Sequence, residues 1–310
     1  MAHKILLVGS SNMDLSLNIT RLPDVGETLT DRGGVSYSPG GGGALAAVAL
    51  AKLGADAVLV TRLGADLYGQ KLYSYYKESG VNTSYIKVDK DYPTGFSVRI
   101  AESDGSVRKL SFPGANEQLS QDSVSDAFAS APDAVFLNFE SSFAAAQRTA
   151  RGAESRGIPL FVDASPANAN FPLDTLPPAE IVTLSAEDCF RYTGIRPIGS
   201  QEALRASLNL SRRIKAKYIV INQGERGAVI YDGKRCDVVG ARRTERLADT
   251  DAANDAFAAA LAVEYLRYGD VKAAAKYAAA AYTITSSRYG SSTSIPTDAE
   301  VREYMLKSRF

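Results

Sequence analysis

Short apolar runs recur along this chain, and the stretches between them carry helical periodicity. The runs KILLVG (4–9), DAVLVT (56–61), AVFLNF (134–139), PLFVDAS (159–165) and YIVINQG (218–224) show little polar alternation. Strands buried on both faces have this pattern. Between them, GALAAVALAKLGA (43–55) and AAAQRTARGAESRG (144–157) repeat apolar positions at helical spacing. Alternating strands and helices predict an α/β fold, a mostly parallel central sheet with helices on both faces. Two regions break the rhythm. DLSLNIT (14–20) and TGFSVRIAESDGSVRKLSF (94–112) alternate apolar with polar residues, the second around an Asp-Gly turn. They predict a small antiparallel sheet outside the main core, either a flap over a site or an ordinary exposed hairpin.

Composition changes this picture by exclusion. The chain has 310 residues, 45% of them apolar, enough for one large core, and no linker or repeat marks a second domain. A single domain over 1–310 is expected, with outlying sheet segments at about 14–38 and 94–112. Lys plus Arg and Asp plus Glu number 35 each. No net field therefore draws the protein to nucleic acid or to an anionic membrane, and neither partner is expected. No run of about 18 apolar residues and no signal-like start occur, so a cytoplasmic protein is expected. Cys189 and Cys236 lack metal-ligand spacing and are expected to be buried free thiols. The single histidine, His3, excludes triad and His-rich zinc chemistry, so a general base must be a carboxylate, Lys or Tyr.

Three loops can carry such chemistry. Gly40–Gly43 lead directly into a helix, which either brings backbone amides close to a ligand or simply makes a tight connection. Asn12 and Asp14 follow the first strand, where a carboxylate can accept from two hydroxyls of a polyol or cap its own turn. In DTDAANDAF (249–257), Asp249, Thr250 and Asp251 precede the helix AANDAFAAALAVEYL. Asp255 there is either a dipole-matching residue of the first turn or a general base surrounded by helix amides.

Taken in order, the segments GSSNMDLSL, LPDVGETL, PGGGGALAAVALAKLGA, RLGADLYGQ, PTGFSVRI, FPGAN, NFE, TLSAEDC, NQGERGA, DTDAANDAF and GSSTSIPT closely resemble the ribokinase-like, or phosphofructokinase B, family of carbohydrate kinases. GAN at 114–116 leans toward the ribokinase branch. The resemblance implies a β-lid over an α/β domain, MgATP as phosphoryl donor and a sugar hydroxyl as acceptor; apart from it, exposed strand edges at 14–20 and 94–112 offer a way to pair in a homodimer. The resemblance also implies that Asp255 is the catalytic base and that Ala252, Ala253 and Asn254 form the anion hole. Asn12, Asp14, Gly41, Gly42, Leu45 and Glu140 match substrate-side positions. Ser185, Asp188, Gly224, Gly227 and Ala279 match nucleotide-side positions, and Asp249 lies in the segment that holds a monovalent cation such as potassium.

The chain departs from the family pattern at defined points. Gly42 stands for a lysine, Leu45 for a sugar-binding asparagine, Ser185 for an asparagine near the phosphates and Asp188 for a glutamate linked to magnesium. Ala279 replaces Asn or His beside the adenine, and Asn254 replaces the glycine before the base. Asn tolerates positive φ, so Asn254 can preserve the turn while its side chain takes space meant for phosphate oxygens. Two functions follow: an ATP-dependent sugar kinase, impaired or altered in substrate choice, or a non-catalytic relative (a pseudokinase or an engineered variant) that binds a sugar, nucleotide or partner without turnover.

Overall fold

The computed structural model describes residues 2–104, 106–167, 171–241, 247–248, 250 and 252–308. The chain opens with β1 (Lys4–Val8), β2 (Asn12–Ile19), β3 (Val35–Gly40), α1 (Gly42–Lys52), β4 (Asp56–Val60), β5 (Arg62–Gly64) and α2 (Leu67–Glu78). It continues through β6 (Lys87–Asp89), β7 (Gly95–Glu102), β8 (Val107–Phe112), α3 (Gln121–Ala127), β9 (Ala134–Asn138) and α4 (Phe143–Glu154). Next come β10 (Leu160–Asp163), β11 (Ala179–Ser185), α5 (Ala186–Thr193), α6 (Ser200–Ser211), β12 (Ala216–Asn222), β13 (Ala228–Tyr231) and β14 (Cys236–Val239). Helices α7 (Ala253–Tyr268), α8 (Val271–Ser286), α9 (Ser291–Ser294) and α10 (Asp298–Ser308) close the described chain.

Eight strands form the main sheet in the order β14-β13-β12-β11-β10-β9-β1-β4. From β12 to β4 the pairing is parallel, and β13 and β14 add an antiparallel edge. The predicted apolar runs are strands because both of their faces are covered. In β1, Ile5 and Leu7 join a core shared with α1, α7 and α8, whereas Leu6 and Val8 join a core shared with α3, α4 and α6. Parallel strands with helices on both sides bury every side chain, which removes the polar alternation. Cys189 is buried, Cys236 is only partly so, and both are free.

The second sheet has the order β3-β2-β7-β8. It is mixed where an antiparallel sheet was expected: β2 and β7 run parallel, in register from Asn12 opposite Gly95 to Ile19 opposite Glu102. The reason lies in connectivity. Each of these strands is followed by its own antiparallel partner, β3 or β8, so the chain returns twice. A long crossover through α1, β4 and α2 separates the two hairpins and brings their leading strands side by side in the same direction. The edges of this sheet are thus β3 and β8, while β2, which covers the expected 14–20 segment, is interior.

Helices α1 and α7 pack closely because alanine dominates their contact, with Ala46, Ala47, Ala49, Ala256, Ala259 and Ala260 almost fully buried. The far ends of the two helices are also tied. Arg267 Nη2 donates to Leu53 O at 2.5 Å, and Arg267 Nη1 to Asp298 Oδ1 at 2.7 Å. Burial raises the Asp298 carboxyl, but hydrogen bonds from Tyr277, Arg267 and Arg302 outweigh it and hold the group below the usual carboxylate range. Parallel helices held this way present their N-termini on one side of the sheet, beyond the carboxyl ends of the parallel strands. Crevices for ligands form there in α/β folds.

Candidate active site

The glycine loop is built on a backbone approach that no other residue permits. A Cβ on Gly43 would lie 2.5 Å from Gly9 Cα, at the end of β1, and 2.6 Å from Ser10 N. With both side chains absent, Ala44 N donates to Ser10 O at 2.9 Å and α1 starts against the strand. Gly41 supplies the left-handed turn, with φ of 85°. Gly42 N then donates to Glu140 Oε2 at 2.6 Å, and Ser10 Oγ donates to the same oxygen. A carboxylate bound to free helix N-terminal amides is in a favourable field. Around Gly42 the space is confined: a Cβ would meet Asn138 Nδ2 at 3.0 Å, Asp255 Oδ1 at 3.1 Å and Glu140 Cδ at 3.2 Å.

On one side of this loop lie polar groups carried by the second sheet. Asn12 and Asp14 are on β2 rather than in a turn, so neither caps its own backbone as the sequence alone allowed. Asp14 is 2% exposed and accepts from Ser97 Oγ at 2.5 Å across the β2–β7 pair. Lys109 Nζ, from β8, stands 4.0 Å from Asp14 Oδ2. Asn116 fixes the loop after β1: its Oδ1 accepts from Ser11 N at 2.9 Å, and its Nδ2 donates to Asn12 Oδ1 at 2.8 Å. Leu45, 4% exposed, brings an apolar wall into this polar surround.

On the other side α7 begins. Ala252, with φ of −94°, precedes its first turn, and Ala253 N donates to Thr250 O at 3.2 Å. Asn254 is helical: among the described non-glycine residues Ala131 alone has positive φ. Asparagine is therefore not needed there to preserve the turn. Its Oδ1 accepts from Asn222 Nδ2 at 2.9 Å, at the end of β12. Gly224 and Gly227, both at positive φ, form the loop after β12, and Tyr282 Oη would lie 3.1 Å from a Cβ on Gly224. Burial raises the Tyr282 phenol, with nearby Glu225 adding to the shift. Ala279, 1% exposed, sits one turn before Tyr282 on α8.

Ser185 and Asp188 form the cap of α5. Asp188 N donates to Ser185 Oγ at 3.0 Å, and Ser185 Oγ donates to Asp188 Oδ2 at 2.6 Å. Asp188 also accepts from Ala167 N at 2.9 Å. Asp163, at the end of β10, is 3% exposed. Burial pushes its carboxyl well above the usual range; the Ser165 N–H opposes this, while Asp188 and Glu140 push it further up.

A cavity of about 290 Å³ joins the two sides. Of the residues expected at a site, it brings together Asn12, Gly41, Gly42, Leu45, Glu140, Asp188, Asn254 and Asp255. Asp14, Ala252, Ala253, Ser185, Gly224, Gly227 and Ala279 do not line it. Asp249, expected at a cation site, and Asp251 lie outside the described residues. Lys109, Ser111, Ser165 and Pro166 line the cavity without having been anticipated. For the first two the signal was present, because positions 109 and 111 share one face of β8. Asp163 was legible only as the polar end of a buried strand. Among the described residues, no group of three or more His, Cys, Asp or Glu could hold a metal ion, and no helix is long and apolar enough to cross a membrane.

Residues 2–298 match the family described as pfkB family carbohydrate kinase. The Arabidopsis thaliana ribokinase is 26% identical over 95% of this chain and 79% of its own length. The Salmonella typhi deoxyribokinase is 26% identical over 97% of this chain and 98% of its own. The structure of Arabidopsis thaliana ribokinase complexed with ribose and ATP superposes with a TM-score of 0.88, at 25% identity over 98% of this chain and 99% of that one. A match that runs almost from end to end, together with an eight-stranded sheet and its separate mixed lid, places the chain in the pfkB family of ATP-dependent carbohydrate kinases, on its ribokinase branch.

Proposed function

We propose that the protein transfers the γ-phosphoryl group of ATP to a sugar hydroxyl with Asp255 as general base, and that the departures at Gly42 and Leu45 alter acceptor choice rather than abolish turnover. The observation that carries this reading is the convergence of two helix N-termini, those of α1 and α7, on one cavity with Asp255 Oδ1 beside the gap at Gly42. An acceptor hydroxyl in that gap gives its proton to Asp255 as its oxygen attacks the γ-phosphorus in line, and ADP leaves. The amides around Ala252, Ala253 and Asn254 offset charge on the phosphoryl oxygens. The ribokinase solved with ribose and ATP supports both substrates.

Magnesium fits the residues present in the way it usually binds, through one or two carboxylates plus substrate phosphates rather than a protein cage. Asp188 and Glu140, both on the cavity wall, are the carboxylates that would take part. Bound there with ATP, it would neutralise charge on the β- and γ-oxygens. Asp14, held by Ser97 and near Lys109, accepts acceptor hydroxyls under the lid. Asn12 and Glu140 complete the sugar side, while the Gly224–Gly227 loop and Ala279 frame the nucleotide.

A homodimer through the lid is part of the proposal, by the edges β3 and β8. Val35, Tyr37, Val107, Leu110 and Phe112 there are each more than half exposed. Light scattering on the intact chain should give twice the monomer mass; a monomer at micromolar concentration contradicts it.

Asp255→Ala should lower kcat by about 10²- to 10⁴-fold while sugar affinity stays within a few fold, because a base acts mainly in the transition state. An ADP-release assay checks this, and a variant keeping a tenth of the parent rate excludes Asp255 as the base.

Leu45 bears on the acceptor. A hydroxyl pressed against it loses a partner, at a cost of about 1 to 3 kcal/mol, whereas a C–H edge packs without loss. The parent should therefore favour one member of matched sugar pairs, such as 2-deoxy-D-ribose over D-ribose, by about tenfold or more in kcat/KM. Leu45→Asn should shift that ratio toward the hydroxylated sugar. Equal ratios in parent and variant across the pairs would remove Leu45 from the specificity argument.

A further inference from the structure

Two asparagines unite the loops on the phosphate side, and a backbone N–H fixes the sense of their hydrogen bonds. Gly224 N donates to Asn222 Oδ1 at 2.9 Å. A peptide N–H can only donate, so the oxygen of the Asn222 amide must face Gly224 and its NH₂ must face the other way. That NH₂ donates to Asn254 Oδ1 at 2.9 Å. By the same logic the Asn254 amide is oriented: its oxygen is engaged by Asn222, so its own NH₂ points away from Asn222 and has no hydrogen-bond acceptor among the described residues. Asn222 is 4% exposed, so its rotamer is held by packing. Asn254 stands in the first turn of α7, next to Asp255, and lines the cavity.

We propose that Asn254 is a side-chain hydrogen-bond donor to the phosphoryl group undergoing transfer, and that Asn222 is the positioning residue that aims it. The inference rests on the phosphoryl-transfer reading above and gives the side chain at 254 a role of its own. On sequence alone this side chain was an obstruction where phosphate oxygens sit. Its capture by Asn222 makes it a preorganised donor instead, added to the backbone amides of the same turn. It also joins the two loops: the bond from Gly224 through Asn222 to Asn254 links the loop after β12 to the start of the helix that carries Asp255. No bond is made or broken by either asparagine; their contribution is to stabilise charge that grows on the equatorial oxygens.

Three variants and two readouts test this. Asn254→Ala removes the donor. Asn222→Asp keeps the acceptor for Gly224 but presents a carboxylate oxygen to Asn254, whose amide must then turn its NH₂ toward residue 222 and its oxygen toward the cavity. Asn254→Gly clears the space entirely. Calorimetry compares ADP with the γ-phosphoryl-bearing analogue AMP-PCP, each with magnesium, and an ADP-release assay over a sugar panel gives kcat. The expected result is an AMP-PCP affinity about tenfold weaker in all three variants with ADP affinity unchanged, and a kcat lower by about 10² or more, the loss typical of one oxyanion donor. An unchanged melting temperature in Asn222→Asp with the full kinetic loss separates aiming from mere folding support.

Faster turnover or tighter AMP-PCP binding in Asn254→Gly overturns the proposal and restores the obstruction. Equal loss of ADP and AMP-PCP affinity also overturns it, because the asparagines would then shape the nucleotide loop as a whole. A parent that binds neither nucleotide sinks both this inference and the kinase reading on which it rests. A parent that binds both, with variants that do not discriminate, sinks this inference alone.

Discussion

The contact between Gly9 and Gly43 constrains everything around the cavity. The backbone at the end of β1 touches the backbone of the first turn of α1, and a single Cβ on either residue would sit 2.5 to 2.6 Å from a main-chain atom of the other. Backbone atoms cannot swing aside as the end of a long side chain can. The start of α1 is thereby pinned to the strand, and Gly42 N reaches the Glu140 carboxylate that follows β9. The alanine faces of α1 and α7 then bring the second helix N-terminus to the same place. Asp255 stands beside Gly42 as a consequence of these packings, with Asp255 Oδ1 3.1 Å and Glu140 Cδ 3.2 Å from where a Cβ on Gly42 would lie.

Charge gives that gap its character. Asp14, Glu140, Asp163, Asp188 and Asp255 gather in or beside one cavity, and among its described lining residues Lys109 is the cation. Helix amides offset part of this charge, as Glu140 shows by accepting from Gly42. Asp163 carries the remaining strain: desolvation and its acidic neighbours disfavour its ionised form. Asymmetry across the cavity follows from chemistry as well as from topology. The lid supplies Asn12, Lys109 and Ser111 and α1 supplies Leu45, while the loop after β10 supplies Ser165 and Pro166 and the first turn of α5 supplies Asp188.

Much of this fold is legible in the sequence because it depends on local pattern. Strands such as KILLV and AVFLN are buried on both faces, and their composition says so before any partner is known. Strand β11 is harder to read. Its Glu180 interrupts the apolar run and is tolerated only because Lys217 Nζ donates to it at 2.6 Å and Tyr265 Oη at 2.5 Å, both from distant segments. The lid shows the same limit: alternation marked its strands, but the parallel β2–β7 pairing depends on how two hairpins meet across a long crossover. At the site, the glycine loop and Asp255 stood out as motifs. Asn222 did not, since its meaning comes from Asn254, thirty-two residues later, and from the N–H of Gly224. Lys109 and Asn116 likewise act on residues about a hundred positions away.

If the gap at Gly42 is where the acceptor hydroxyl meets Asp255, filling it with one methyl group is the most direct test. A Cβ there would stand 3.0 to 3.2 Å from Asn138, Asp255 and Glu140, tight enough to displace a small ligand but not a backbone atom. Steady-state kinetics of Gly42→Ala, measured with the parent's best sugar and alongside thermal melting, should show a fall of at least tenfold in kcat/KM for the sugar with the melting temperature nearly unchanged. A Gly42→Ala enzyme that melts like the parent and keeps kcat/KM within twofold would contradict the account, because the two helix N-termini would then converge on a space the reaction does not use.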